Sequence, residues 1–140
     1  MEHLRDKVRF AVQEEQLGTG HAVRQALPLL EEVTGSVFIC YGDMPFLSAA
    51  SIRALIDAGS RPDAAGAILT MVLEDPPDYG RVIWDEYGHV WKVVEVKDCT
   101  LEELEIKEFN VGVYCRRKSG SCRAHCIKRC LYHGWIYGYG

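Results

Sequence analysis

The stretch that most constrains the fold runs from Val37 to Pro45, with the sequence Val-Phe-Ile-Cys-Tyr-Gly-Asp-Met-Pro. A short apolar run bounded by turn residues is typical of a strand buried on both faces, as in a parallel sheet. Pro45 has no amide hydrogen for a central ladder, so the strand must end before it. The sequence therefore predicts an α/β protein with a buried strand that ends near Asp43.

Asp43 lies where this strand is predicted to end. In open α/β sheets, ligands bind beyond the carboxyl ends of the strands. An aspartate at that point offers a hard oxygen to Mg²⁺, which in turn binds substrate phosphates. A turn residue or the cap of the following helix is an equally ordinary role for an aspartate, and both interpretations stay open at this point.

The length and composition fit one domain. A chain of 140 residues with 48% hydrophobic and 26% charged residues is typical of a soluble globular protein with its own core. No apolar run approaches the roughly 20 residues needed to cross a bilayer. The N-terminus lacks the apolar core of a signal peptide, so a cytoplasmic location is expected.

Two segments precede the predicted central strand. Val8–Val12 alternates apolar and polar residues and predicts a strand. A glycine loop at residues 18–20 leads into a helix over about residues 21–33, which Pro28 should kink or split near Ala26. Such a loop leaves backbone N–H groups for a phosphate or a nucleobase, although a tight strand-to-helix turn is the simpler explanation.

The remaining elements are one helix, a strand, a hairpin and a last strand. The helix begins at Ser48 or Ser51 and ends at Gly59. Strands that alternate with helices predict a mainly parallel sheet. The other predicted elements are a buried strand at residues 66–73, a hairpin of residues 79–84 and 89–96, a capping box at Thr100–Glu103 that opens a short helix, and a strand at residues 108–114.

Five motifs are together specific, although each alone is weak. They are Gln13-x-Glu-Gln-Leu-Gly-Thr-Gly-His-Ala, Tyr41-Gly-Asp-Met-Pro, Tyr79-Gly-Arg-Val, Val94-Glu-Val-Lys-Asp and Glu108-Phe-Asn-Val-Gly. In this order, over about residues 8–115, the chain resembles the sugar-1-phosphate nucleotidyltransferases, most closely the uridyltransferase domains of bacterial bifunctional enzymes. The resemblance implies a Rossmann-like nucleotidyltransferase fold with a mainly parallel sheet, truncated at the N-terminus.

The resemblance also implies roles for particular residues. Gln13, Gly18 and Thr19 match positions that hold uracil; Tyr41 and Gly42 match a segment near the ribose and sugar; Asp43 matches a catalytic Mg²⁺ ligand; Gly80, Glu95 and Asn110 match contacts to N-acetylglucosamine. Amide groups suit the edge of a base, and short carboxylate and amide groups suit sugar hydroxyls. Apart from the resemblance, the place of His21 in a loop that opens a helix fits a structural role better than that of a general base.

The implied reaction is uridylyl transfer. The phosphate of N-acetylglucosamine 1-phosphate attacks the α-phosphorus of UTP, which gives UDP-N-acetylglucosamine and pyrophosphate. Such a reaction depends on positioning and on charge neutralisation, which implies Mg²⁺ as the cofactor. The implied partners are these small-molecule substrates, with no nucleic acid and no membrane, and a homo-oligomeric parent is left open. Alternatives are another sugar-1-phosphate nucleotidyltransferase or a non-catalytic nucleotide-sugar-binding protein.

The sequence departs from the family pattern in several places. The glycine-rich triphosphate loop, the later asparagine of the Mg²⁺ site and the hexapeptide repeats of an acetyltransferase domain are absent. We therefore expect a fragment of a longer gene product, with a partial nucleotidyltransferase domain over residues 1–115. In isolation we expect poor catalysis and poor folding, because a parallel sheet would lack strands beside its core.

Residues 116–140 form an anomalous basic, cysteine-rich tail. This tail has six Lys and Arg residues and no acidic residue, whereas residues 1–115 have 10 Lys and Arg and all 20 acidic residues. The favoured interpretation is a segment translated out of frame or disordered, and a genuine divergent tail is the second. The third is a metal or RNA site, for which the spacing is poor, made from Cys122, Cys126, Cys130, His125 and His133.

Overall fold

The computed structural model describes residues 8–118. Its helices are α1 (Thr19–Ala26), α2 (Ala49–Gly59) and α3 (Leu101–Leu104), and its strands are β1 (Gly35–Ile39), β2 (Ala67–Val72), β3 (Arg81–Trp84), β4 (Val90–Val94) and β5 (Glu108–Lys118). Short 3-10 turns lie at Leu27–Leu30 and Val96–Asp98. The predicted tail lies outside the described residues from residue 119 onward, and its first three residues continue β5.

Strand β5 organises the sheet because it pairs with three other strands. Along one edge it pairs with β2, from Val72 opposite Glu108 to Ala67 opposite Cys115. Its other edge pairs with β1 over residues 114–118 and with β3 at Phe109. The β3–β4 hairpin completes the five-stranded sheet.

The α/β class is confirmed, but the expectation of a mainly parallel sheet is wrong for residues 8–118. Each of their strand pairs is antiparallel. Strands β1 and β2 run in the same direction and are joined by α2, as in a parallel unit, but β5 lies between them and runs the opposite way. An apolar run indicates that a strand is buried and does not indicate the direction of its neighbour.

Two strand predictions are also corrected. Residues 8–12 form no regular secondary structure, and Phe10 and Val12 are exposed, because none of the described strands pairs with this segment. Strand β1 ends at Ile39 and is only half-buried, rather than buried on both faces. Its sole partner among the described strands is β5, so it lies at an edge of the sheet.

Local sequence signals are confirmed where a side chain or a proline decides the structure. Helix α1 gives way to a 3-10 turn directly after Ala26, because Pro28 cannot continue the α-helical ladder. Ser48 rather than Ser51 caps α2, and its Oγ accepts a hydrogen bond from the Ser51 N–H at 3.0 Å. The predicted capping box of α3 and the β3–β4 hairpin are both present.

The core has two parts that share β5. Helix α2 contributes Leu55 to a cluster with Ala67, Val113 and Cys115. A second cluster contains Ile68, Val82 and Val90, with Tyr114 packed against it. Successive side chains of a strand point to opposite faces, so Val113 and Tyr114 anchor β5 on both sides of the sheet. Within residues 8–118, no helix is long and apolar enough to cross a membrane.

Candidate functional site

A bulge in β5 determines the geometry of the candidate site. Leu69 of β2 lies opposite Val113, but the next residue, Thr70, lies opposite Asn110, so β5 has two extra residues at this point. One of them, Gly112, has a φ of 77°, in the left-handed region that favours glycine. Bulges redirect nearby side chains and are frequent beside functional sites. Here the redirected side chain is that of Asn110.

The side-chain amide of Asn110 is held at both ends. Its Oδ1 accepts a hydrogen bond from the Gly112 N–H at 2.8 Å, and its Nδ2 donates to Tyr114 Oη at 2.7 Å. The backbone N–H of Asn110 donates to the carbonyl oxygen of Gly80 at 2.9 Å. A second lone pair on Oδ1 and a second hydrogen on Nδ2 remain for a ligand.

The β3–β4 hairpin brings Gly80 and Glu95 together. Gly80 directly precedes β3 and Glu95 directly follows β4, and the first residue of β3 pairs with the last of β4. A Cβ atom on Gly80 would lie 2.8 Å from Val93 Cγ1 and 3.6 Å from Glu95 Oε1, so a side chain does not fit there. The exposed Glu95 carboxylate has no hydrogen bond or ion pair with another residue of the described part of the chain, which leaves both oxygens available.

Two tyrosines surround the bulge. A Cβ atom on Gly112 would overlap the ring of Tyr41, so this ring covers the glycine. Burial raises the pKa of Tyr114 above its usual range, and the nearby Tyr41 and Glu95 act in the same direction. The phenol of Tyr114 is therefore neutral at ordinary pH and has its own hydrogen to donate. We name these residues the β5 cluster: Tyr41, Gly80, Glu95, Asn110, Gly112 and Tyr114.

Arg81 supports the cluster and was not recognised from the sequence. It is only 5% exposed, and its Nη1 donates to the carbonyl oxygens of Pro77 and Tyr79, at 2.8 Å each. These bonds fix the backbone on the N-terminal side of Gly80. The buried Nε has no hydrogen-bond partner among residues 8–118. The place of Arg81 in the Tyr79-Gly-Arg-Val motif was a signal that could have pointed to this role. Charged residues in short hairpins are usually exposed, however, which argues against a buried supporting role.

Asp43 lies in an exposed turn that follows β1. It does not cap α2, because Ser48 does so, and its carboxylate has no hydrogen bond or ion pair with another described residue. Residues 8–118 contain no group of three His, Cys, Asp or Glu residues that could hold a metal ion. In this turn, Asp43 thus offers a single free carboxylate, which fits Mg²⁺ only where substrate phosphates supply further oxygens. Gly42 is exposed in the same turn.

The predicted base-binding residues lie in a separate segment, which we name the entry loop (residues 13–21). Gln13 Nε2 donates to the Gly18 carbonyl oxygen at 3.1 Å and lies 3.0 Å from His21 Nδ1. Helix α1 starts at Thr19, two residues earlier than predicted, with Gly18 at its N-cap and a φ of 92°. No hydrogen bond among the described residues joins the entry loop to the β5 cluster.

Two of the cysteines are poor nucleophiles in this structure. Burial raises the pKa of Cys99 and of Cys115, which disfavours the reactive thiolate. The groups that the β5 cluster presents are instead a free carboxylate, a fixed amide and a neutral phenol. Such groups bind hydroxyl and amide groups through hydrogen bonds. The fold is thus an α/β domain whose β5 cluster presents hydrogen-bonding groups side by side.

Proteins named "Bifunctional protein GlmU" are similar to this chain. The protein from Brevibacillus brevis is 46% identical over 112 residues, which is 80% of this chain and 24% of that protein. Those from Burkholderia thailandensis and Burkholderia ambifaria are 51% and 50% identical over 106 residues, 76% of this chain and 23% of each protein. No protein-family model matches the chain.

The chain is a homologue of the GlmU proteins, and it spans about a quarter of the length of these curated relatives. The resemblance to bacterial bifunctional proteins that the motifs indicated is therefore confirmed. The roles of individual residues, the cofactor and the boundary predicted at residue 115 remain predictions.

Proposed function

We propose that this chain carries the nucleotide-sugar site of a uridyltransferase. Its parent protein transfers a uridylyl group from UTP to N-acetylglucosamine 1-phosphate and releases UDP-N-acetylglucosamine and pyrophosphate. The observation that carries this proposal is the bulge in β5, which gathers Gly80, Glu95 and Asn110 into one cluster. These three residues are the ones that the resemblance assigns to the sugar, although they are up to 30 positions apart in sequence.

The β5 cluster suits an N-acetylated sugar. The free carboxylate of Glu95 accepts hydrogen bonds from sugar hydroxyls, and the remaining N–H and lone pair of Asn110 pair with an acetamido group or a further hydroxyl. Both ends of the Asn110 amide are already fixed in the described chain, so little side-chain freedom is lost on binding. The bare backbone at Gly80 allows the sugar to approach the sheet closely.

The transfer step depends on alignment of two anionic substrates rather than on a covalent intermediate. The phosphate of the sugar displaces pyrophosphate from UTP, and no atom of the protein is bonded to the uridylyl group. Asp43 is the residue that would hold Mg²⁺, which when bound neutralises phosphate charge. The free, exposed carboxylate of Asp43 at the end of β1 supports this role.

The uridyltransferase part of a bifunctional protein is favoured over the acetyltransferase part. The described residues form an α/β fold, and the sequence motifs follow the order that the resemblance to nucleotidyltransferases implies. The sequence contains no hexapeptide repeats.

Pyrophosphate release by the 140-residue chain tests the proposal. We expect release that requires UTP, N-acetylglucosamine 1-phosphate and Mg²⁺ together, with lower rates for CTP or glucose 1-phosphate. Asp43→Ala should lower the rate at least about tenfold, because one Mg²⁺ ligand is lost, without a change in thermal unfolding. Asp57→Ala, at an exposed position on α2, is the matched control and should leave the rate unchanged.

Three results would contradict parts of the proposal. A higher rate with another nucleotide or sugar phosphate would make the substrate assignment wrong. Full activity of the Asp43→Ala variant would exclude its metal role. Tight binding of UDP-N-acetylglucosamine with no turnover by the wild-type chain would favour a non-catalytic nucleotide-sugar-binding protein.

A further inference from the structure

A chain of side-chain contacts links the entry loop to helix α1. Gln13 Nε2 is 3.1 Å from the Gly18 carbonyl oxygen and 3.0 Å from His21 Nδ1. The other ring nitrogen of His21, Nε2, lies 2.9 Å from Gln25 Nε2, one helical turn further along α1. Gln13, His21 and Gln25 are all half-buried, unlike most of their exposed neighbours in the loop.

The Gly18 carbonyl oxygen fixes the orientation of this chain. A carbonyl oxygen only accepts hydrogen bonds, so the Gln13 atom that faces it must be the NH₂ group and not Oε1. The same NH₂ group faces His21 Nδ1, and its second hydrogen is directed there. His21 Nδ1 is therefore an acceptor without a proton.

The proton of the neutral His21 ring then lies on Nε2. The structure places the Gln25 amide nitrogen, a donor, 2.9 Å from this ring N–H. Two donors cannot share a hydrogen bond, and a half-turn of an amide exchanges its nitrogen and oxygen, so we assign Gln25 Oε1 as the acceptor of the His21 N–H. The residues thus form one directed chain, in which Gln13 donates to His21 and His21 donates to Gln25. A rotation of the Gln13 amide would place its oxygen against the Gly18 carbonyl oxygen and break both of its hydrogen bonds.

We infer that His21 and Gln25 are positioning residues that hold the Gln13 amide with Oε1 free to select the base. Both hydrogens of Gln13 Nε2 are used inside the loop, while Oε1 has no partner among residues 8–118. A fixed acceptor pairs with the imide N–H of uracil and faces an unprotonated ring nitrogen in cytosine. This inference rests on the proposed function, because the base in question is that of the nucleotide sugar.

The base preference separates this role from a purely structural one. Loss of a structural contact would weaken the binding of all nucleotide sugars equally. A freed Gln13 amide, in contrast, can turn its NH₂ group toward cytosine, so the preference between the two bases should fall. His21→Leu removes the hydrogen-bond acceptor Nδ1 and leaves a side chain of similar size. His21→Asn keeps a hydrogen-bond acceptor near the position of Nδ1.

The experiment is a calorimetric titration of the 140-residue chain with UDP-N-acetylglucosamine and with CDP-N-acetylglucosamine. We expect the wild type to prefer the uridine compound by about tenfold or more, as for other sites that lose a polar partner. His21→Leu should reduce the preference to about threefold or less, and His21→Asn should restore most of it. Arg24→Ala, at an exposed position on α1, should leave the preference unchanged.

Nitrogen-15 NMR of the free chain tests the same arrangement without a ligand. We expect His21 as the Nε2–H tautomer, and the opposite tautomer would overturn the inference. An unchanged uridine preference in His21→Leu would overturn it as well, while the proposed function would stand. If the wild-type chain bound neither compound, the proposed function and this inference would fail together.

Discussion

The β5 cluster and the entry loop are built in different ways. The cluster is assembled by strand register, because β1, β3, β4 and the bulge in β5 each bring one or more of its members to the same place. The entry loop is held by side-chain hydrogen bonds between residues 13 and 25, on a segment with no paired strand. The first depends on the whole sheet, and the second depends on a few amide groups.

This difference determines what a substitution does. A change in the β5 cluster should affect both stability and sugar binding, since its backbone is part of the core. A change in the entry loop should affect the choice of base while the sheet stays folded.

Gly112→Ala should have the largest effect. The left-handed φ of Gly112 costs an alanine roughly 1–3 kcal/mol, and the new Cβ would also overlap the ring of Tyr41. Gly88→Ala is a matched control, because Gly88 has a φ of 76° with no atom within 4 Å of the added Cβ. Denaturant unfolding should show a clearly larger loss for Gly112→Ala, and equal losses would contradict the contact with Tyr41.

Tyr114 should make the stability of the fold depend on alkaline pH. Burial raises the pKa of Tyr114 in the folded chain above that of the unfolded chain, about 10. The stabilisation that the neutral Tyr114 phenol gives the fold is fully present below pH 10. It is lost as the pH rises through the higher pKa of Tyr114 in the folded chain. The free energy of unfolding should therefore fall above pH 10 more steeply in wild type than in Tyr114→Phe.

Tyrosinate absorbance supplies the check on this assignment. The wild type should contain a late-ionising tyrosine, and Tyr114→Phe should remove that late component. Tyr87→Phe, at an exposed position, is the control and should leave the late component in place. Simultaneous ionisation of all tyrosines would show that the site around Asn110 is open to solvent.

Gln13→Ala should have the smallest effect on stability. Its two hydrogen bonds lie at the partly exposed entry loop, so we expect the free energy of unfolding to change by less than about 1 kcal/mol. The preference for the uridine compound should nevertheless be lost. A large loss of stability would show that the entry loop is part of the cooperative core and would contradict the separation of the two regions.

Local signals in the sequence predicted the local structure. Pro28 ends α1, Ser48 caps α2, and Thr100 with Glu103 opens α3, because each effect depends on residues within a few positions. The motifs also led to Gly80, Glu95 and Asn110, which the structure brings together at the bulge.

Long-range pairing is what the sequence did not show. Strand β5 separates β1 from β2 because residues 114–118 pair with residues 35–39, which are distant in the sequence. An apolar run has the same pattern beside a parallel or an antiparallel neighbour, so it does not predict this pairing. The segment Val8–Val12 has a strand pattern, yet none of the described strands offers it a partner. The support from Arg81 depends on how the loop before β3 folds back over it.

The most direct test of the central claim is an NMR titration of the 140-residue chain with UDP-N-acetylglucosamine and with UDP-glucose. We expect that only the N-acetylated compound strongly shifts the backbone amide signals of Gly80, Asn110 and Gly112. Asn110→Ala should abolish the difference between the two sugars while the shifts in the entry loop remain. Equal shifts with both sugars, or shifts confined to residues outside the β5 cluster, would contradict the claim that this cluster recognises the sugar.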